Sequence, residues 1–545
     1  MRVMQYKKWV ICLSAALALT LSACSTTGKS SSSATNKEDN AQVLKVGINS
    51  ELSTADVSLA MDNTTVDVMS QIAEGLYSLD KEGKAVPALA TALTEPTNDG
   101  KTYTFKLRQG AKWSNGDEIT ADDFVYSWQR TVDPKTASPQ AYYFEGIKNY
   151  ADIAAGKKKA TELGVKALDD HTLEVQLNYP MSYFQQLLAV PAYFPLNQKY
   201  VEKVGDKYGT NSDNTLYNGP FVMEGWNGSS STWKYKKNDQ YWDKDKVKLK
   251  TIDAQVIKEI ATGKNLFDAG DIDYVKISGE TVAQEKGNKE LHIRQIPGTQ
   301  YLEFNNENEI LKNRDARKAI DLSIDSESLA KNVLNDGTEK AQGYVPAGFI
   351  NPETNEDFTK EIGDINPTDK KQAKELWEKA KKELAIDSAS LSILCSDTDS
   401  AKKVAEYVQG AISENLDGLK IDVSPVPFNN RIDNAKKGDY DMVLSGWTPV
   451  YADPIDFLNL KTTHNGNNDA NYSNQEYDKL VEDANNSSDV QKRWKLMQEA
   501  DQIIAKDAPV APLYQITEAY MVSSQLKGIE FGPLGTTYFK EVSIK

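Results

Sequence analysis

The sequence predicts a large α/β protein, on three observations. Short alternating or apolar runs read as strands: Val43-Leu44-Lys45-Val46-Gly47-Ile48, Thr102-Tyr103-Thr104-Phe105-Lys106-Leu107 and Asp441-Met442-Val443-Leu444. Interspersed segments carry apolar residues at helical spacing, as in Lys370–Leu384 and Asp489–Ala505. The chain has 545 residues, 39% hydrophobic and 26% charged, enough for two to four domains with a large core.

The first 24 residues stand apart. Arg2, Lys7 and Lys8 form a basic start, and Trp9–Leu21 is an apolar run too short to span a bilayer comfortably. Leu21-Ser22-Ala23-Cys24 then resembles a bacterial lipobox, in which Cys24 becomes a lipidated (palmitate-type) N-terminus after residues 1–23 are removed. The alternative is an ordinary signal peptide with an incidental cysteine. Residues 24–42 are Ser/Thr/Asn/Lys-rich with almost no apolar content, and read as a disordered tether. Cys12 leaves with the signal, so only Cys395 remains in the body, in the apolar run Leu391–Cys395, as a buried inert thiol. No intramolecular disulfide is expected, which suits a chain large enough to need none.

The body begins at Val43. Lys112-Trp113-Ser114-Asn115-Gly116-Asp117 is a turn, marked by Asn-Gly. Thr120-Ala121-Asp122-Asp123 opens a helix, with Thr120 as N-cap, Asp123 at the positive end, and Phe124, Val125 and Trp128 on the apolar face. In Lys370–Leu384, Ala373, Leu376, Trp377, Ala380 and Leu384 form one stripe, with Glu375 and Lys379 as an i,i+4 pair. Val490, Trp494, Met497, Ala500 and Ile504 do the same later. There is no internal repeat of solenoid period.

Net charge is −16, which argues against nucleic acid or an anionic membrane face as main partner. His171, His292 and His464 lie far apart, without zinc spacing. Asp268, Asp271 and Asp273 start like a calcium loop but lack the spacing and distal Glu. There is no Walker motif and no Gly-x-Ser-x-Gly elbow, so no cofactor, metal or catalytic residue is expected. The 26 Tyr, 9 Trp and 14 Phe are available to line a cleft, with most in the core.

One stretch carries a sharper signal: Ser445-Gly446-Trp447-Thr448, then Tyr451, Asp453-Pro454 and Phe457-Leu458. It resembles the Gly-Trp…Asp-Tyr…Asp-Pro…Phe-Leu segment of the oligopeptide-binding proteins of ABC importers, extracellular solute-binding protein family 5. The strand–turn–helix unit from Thr102 to Trp128 resembles that family's signature region. Asp133–Pro139, Gly156–Lys159, Val165–Leu173, Asn218-Gly219-Pro220-Phe221, Gly270–Asp273 and Asn305–Asp325 continue the likeness over nearly the whole body.

The resemblance implies a two-lobe, periplasmic-binding-protein-like fold with an additional domain and a ligand enclosed between the lobes. Lobe one is expected over 43–73, 202–301 and 518–545, the additional domain over 74–201, and lobe two over 302–517. Peptide-binding positions are carried over residue by residue. Trp447 keeps the family Trp, with Ser445, Gly446 and Thr448 beside it. Tyr301 keeps an aromatic on the crossing strand, Phe428 stands at a family Trp position, and Asn63 falls in lobe one's peptide-facing loop. The charged anchors are absent: Val450 replaces the Asp that meets a peptide's free amine, and Leu444 replaces an Arg that meets short-peptide carboxylates. Gln140 replaces a Tyr, with Tyr142 and Tyr143 just beyond, and Asp453 is the motif's second, usually structural, Asp.

The expectation is therefore a lipid-anchored, monomeric peptide receptor on the extracytoplasmic face of the cell membrane. It would capture oligopeptides by lobe closure and pass them to ABC permease subunits. Rival readings are a specialised receptor for a signalling or cell-wall peptide, a secreted lipoprotein hydrolase, and an adhesin.

Overall fold

The computed structural model describes residues 42–60, 62–449, 451–463, 465–532 and 534–545, without the Asn429 side chain. The signal peptide, Cys24 and the tether to residue 41 lie outside the described residues, as do Val450 and His464.

One eleven-stranded sheet runs through the body. Its order is Leu419–Val426, Ala389–Ser396, Met442–Trp447, Leu291–Phe304, Val510–Val522, Tyr274–Ile277, Val43–Ile48, Thr251–Val256, Thr232–Lys237, Phe221–Glu224, with Glu339–Lys340 added on Val510–Val522. Both ends contain parallel pairs, which need crossover connections. At one end the helices Asp399–Asn415 and Phe428–Lys437 connect Ala389–Ser396, Leu419–Val426 and Met442–Trp447. At the other, helix Ile260–Asp268 connects Thr251–Val256 to Tyr274–Ile277, and Val43–Ile48 inserts between them.

Two long antiparallel strands, Leu291–Phe304 and Val510–Val522, join the two ends. Their register shifts between Gln295 and Thr299, where Ile296-Pro297-Gly298 intervenes. Proline offers no N–H to the ladder, so the pairing breaks there.

A separate three-stranded sheet, Thr102–Lys106, Thr172–Gln176 and Val165–Asp169, packs with helix Ala121–Val132. Its core includes Phe105, Phe124, Trp128, Phe144 and Leu173, all fully buried. The turn-and-helix signal here has a physical basis: the Asp123 carboxylate accepts from the Thr120 N–H at 3.0 Å and from the Trp113 indole at 3.0 Å. Burial raises that carboxylate to about 6. The Asn218-Gly219 pair has one too. The Asn218 amide bonds both the N–H and the carbonyl of Glu74, and a Cβ on Gly219 would lie 2.5 Å from the Ala73 nitrogen.

Three large apolar clusters hold the body. One surrounds Val43–Ile48 and its neighbours, and one surrounds Leu302, Trp377 and Ile393. In the third, side chains from 76–193 meet side chains from 344–510 in a continuous core. Cys395 is fully buried, as expected.

Two local expectations need correction. The strand read over Asp441–Leu444 is Met442–Trp447, so it runs on through the Ser-Gly-Trp motif. The Glu375–Lys379 pair does not form: helix Lys370–Leu384 packs along Arg314–Ser323, which brings Asp315 to 2.5 Å from Lys379, while Glu375 faces Lys371.

Candidate functional site

Met442–Trp447 has one occupied edge and one that is only half occupied. Along Leu291–Phe304 it pairs throughout, with Tyr301 opposite Ser445, Gln300 opposite Gly446 and Thr299 opposite Trp447. On its other edge, Ala389–Ser396 pairs only at Ile393↔Met442 and Leu394↔Val443, although its own pairing with Leu419–Val426 continues to Ser396. Leu444 to Trp447 thus carries no ladder partner on that edge among the described residues, and these four residues are half-buried. A free edge at the carboxyl end of parallel strands is where ligands of open α/β sheets bind, and its main-chain groups can pair with an added extended chain.

The side chains beside this edge are locked. Glycine at 446 leaves room for the Gln300 amide, which a Cβ would strike. What lies nearest to such a Cβ is a side chain. The Trp447 indole donates to Asp456 at 2.8 Å. Tyr301 is buried at 3% exposure; burial raises its hydroxyl, and the Lys461 ammonium, 5.3 Å from its ring, opposes the rise. Lys461 forms a fully buried ion pair with Glu303. Burial opposes the ammonium charge, but Glu303, Tyr301 and Asp469 together hold Lys461 above its ordinary value.

After the strand the chain turns tightly. The Asp453 N–H donates to the Tyr451 carbonyl, and the Ile455 N–H donates to the Asp453 carboxylate. Asp453 also receives both ends of the Arg493 guanidinium at 2.7 Å. The Tyr451 ring stacks on Tyr183 at 4.6 Å and 7°, and Arg493 lies 5.4 Å from the Tyr183 ring. The motif loop is thereby held against residues of the 74–201 segment.

The sequence-predicted positions separate into groups. Tyr301, Ser445, Gly446, Trp447 and Thr448 come together, with the Thr448 hydroxyl beside Gly298. Phe428 opens the helix Phe428–Lys437 and is 60% exposed. Tyr142 is exposed at 41%, its ring 4.2 Å from Tyr143, and burial of the hydroxyl pushes it up to about 12.

Gln140 and Asp453 do not offer free side chains. Gln140 is 1% exposed, and its amide donates to the Val57 carbonyl at 3.0 Å, because Ser138–Gln140 is tied to the 57–58 backbone. Asp453 is spent on Arg493. Asn63 begins the helix Asn63–Ile72 and lines a different cavity of 310 Å³ with Asp67, Lys276 and Glu518.

Sequence reasoning missed Gln300, Tyr183, Arg431 and Arg493. Arg493 had a signal: it falls on the edge of the apolar stripe Val490–Trp494–Met497, where a charge implies a buried partner. Arg431 sits one turn after Phe428. Gln300 and Tyr183 are brought in by tertiary contact alone.

Known proteins bear on this geometry. The family described as bacterial extracellular solute-binding proteins, family 5 Middle, matches residues 84–469. The oligopeptide-binding protein OppA of Bacillus subtilis is 35% identical over 552 residues, covering 99% of this chain and all of the relative. The solved structure of Listeria monocytogenes OppA bound to peptide is similar at a TM-score of 0.79 and 42% identity, covering 93% of this chain and 99% of that one. The pheromone receptor PrgZ, in a structure describing its mode of peptide binding, is similar at 0.80 and 38%, covering 93% and 100%. The fold is accordingly a multi-domain, periplasmic-binding-protein-like one, and this chain belongs to the bacterial extracellular solute-binding proteins of family 5.

Proposed function

We propose that this protein is the peptide receptor of an ABC importer, held at the extracytoplasmic face of the membrane by a lipid on Cys24. It captures extended oligopeptides between its lobes as a monomer, without catalysis, and delivers them to the permease subunits. Lobe one is 43–73, 202–301 and 518–545, the additional domain 74–201 and lobe two 302–517. The observation that carries the reading is the free edge at Leu444–Trp447. Main-chain pairing there serves any peptide sequence, and Trp447, Thr448, Tyr142 and Phe428 offer surfaces for side chains, with the buried Tyr301 beneath them.

Denaturing the purified protein and analysing released ligand by mass spectrometry tests this. Intact peptides are expected, and adding synthetic peptide should raise the melting temperature by mass action. Cleaved products, or no peptide and no thermal response, would overturn it. The likeness to PrgZ favours a second reading, a receptor for one signalling peptide. A single co-purified species supports that reading, and a mixture supports nutrient uptake.

A further inference from the structure

We infer that Arg431 is a carboxylate anchor for the bound peptide, a role that rests on the peptide reading above. Arg431 lies on helix Phe428–Lys437 and is 7% exposed. A guanidinium has five N–H donors. Arg431 spends one of its nitrogens on the Leu444 carbonyl at 3.2 Å, and its Cζ lies 5.1 Å from the centre of the Phe428 ring. Among the described residues no carboxylate pairs with it.

The other buried arginines are satisfied. Arg493 has Asp453, and Arg317 donates to four backbone carbonyls. The acidic groups that act most strongly on Arg431 are Asp469 and Glu303, and each is already taken, by Lys436 at 3.0 Å and by Lys461. Tyr301 and Cys395 also act on it. A buried cation left with one neutral acceptor bears a desolvation cost that an anion would relieve.

Position says where that anion comes from. The Leu444 carbonyl belongs to the first residue of the unpaired strand edge, so the guanidinium stands at the end of the surface on which a chain would pair. The helix that carries Arg431 has Pro427 at its N-cap and no side-chain cap, which adds a positive helix terminus beside it. Phe428, 60% exposed, supplies an apolar wall. The matching group is a carboxylate of the peptide, either its C-terminus or an acidic side chain, bound by the planar fork.

Three synthetic octapeptide pools distinguish the sources: uncharged residues with a free C-terminal acid, the same with a C-terminal amide, and the amide pool with one Glu. Affinity selection on the full chain is compared between wild type and Arg431→Met, with Arg431→Lys as a charge-retaining control. The wild type should favour one carboxylate-bearing pool over the amide pool by about thirtyfold or more, the scale of a buried charge pair losing one partner. Arg431→Met should bring that ratio within about twofold while still retaining the amide pool, and Arg431→Lys should keep part of it. Equal losses for all pools in Arg431→Met would mark a merely structural residue and overturn the inference, as would a wild type with no preference. If the wild type retains none of the three pools, the peptide reading itself has failed, which differs from retention without discrimination.

Discussion

Asp453 and Arg493 form a two-point ion pair: each terminal guanidinium nitrogen lies 2.7 Å from a different carboxylate oxygen, with the residues 7% and 4% exposed. The pair fastens the loop after strand Met442–Trp447 to helix Val490–Asp507, and it gives Asp453 a structural task. Removing one partner strands a buried charge, so Asp453→Asn should cost about 3–5 kcal/mol. Denaturant unfolding of Asp453→Asn, Arg493→Met and the double variant measures this. The double variant should recover part of the loss, whereas additive losses would show that the two residues act separately.

The stack of Tyr183 on Tyr451 links the 74–201 segment to the same loop. Aromatic pairs of this geometry contribute about 0.5–1.5 kcal/mol beyond burial. If the contact helps hold the motif loop in its binding geometry, Tyr183→Ala should weaken peptide binding by about two- to tenfold in calorimetry. An unchanged affinity would separate the stack from ligand binding.

Gly446→Ala would push the Gln300 amide from its place. The amide is the far end of a flexible side chain, so the expected cost is near the low end of overpacking, about 1 kcal/mol. Adding Gln300→Ala should relieve it. Persistence of the loss in the double variant would mean that strand pairing, not the Gln300 amide, limits position 446.

Much of this fold was legible because its signals are local. Val43–Ile48 alternates and is a strand with those bounds, and Lys370–Leu384 carries one apolar stripe and is a helix with those bounds. The motif strand was read as ending at Leu444, where the apolar run stops, whereas pairing of Ser445, Gly446 and Trp447 with Tyr301, Gln300 and Thr299 carries it further. Gln140 was placed at the ligand by analogy. Its burial depends on the Val57 backbone more than eighty positions away, which no local pattern encodes. Arg493 and Asp501 sat in view on an apolar helix face, but periodicity does not name the partner of a buried charge.

Asp501 gives a pH prediction. It is 1% exposed, and burial pushes its carboxyl up to about 7, partly offset by the Tyr344 and Val345 backbone. An unfolded Asp titrates near 3.9, so between about pH 4 and 7 the folded state holds the extra proton. Stability contributed by the neutral form is therefore present at low pH and falls as pH rises toward 7. From pH 5 to 8 this group should cost about 2–3 kcal/mol. Asp501→Asn should remove that slope and stabilise the protein more at pH 8 than at pH 5 in denaturant melts. Equal slopes for variant and wild type would show that Asp501 does not titrate in this window.

The sharpest test concerns the peptide's amine. A buried α-ammonium needs a counter-charge or bears a desolvation cost. Asp453, the nearest acidic candidate in the motif by sequence after Val450, is committed to Arg493. Val450 itself supplies no charge. The wild type should therefore bind a given peptide and its N-acetylated form within about tenfold, where a protein using a dedicated carboxylate loses about 2–5 kcal/mol, or thirtyfold and more. Val450→Asp should restore that larger preference for the free amine. Calorimetry of the two peptide forms on both proteins reads the ratio directly. If the wild type already loses a hundredfold on acetylation, another carboxylate meets the amine. Asp456, which accepts the Trp447 indole hydrogen bond at the end of the free strand edge, is then the residue to substitute next, and Asp456→Asn would abolish the ratio.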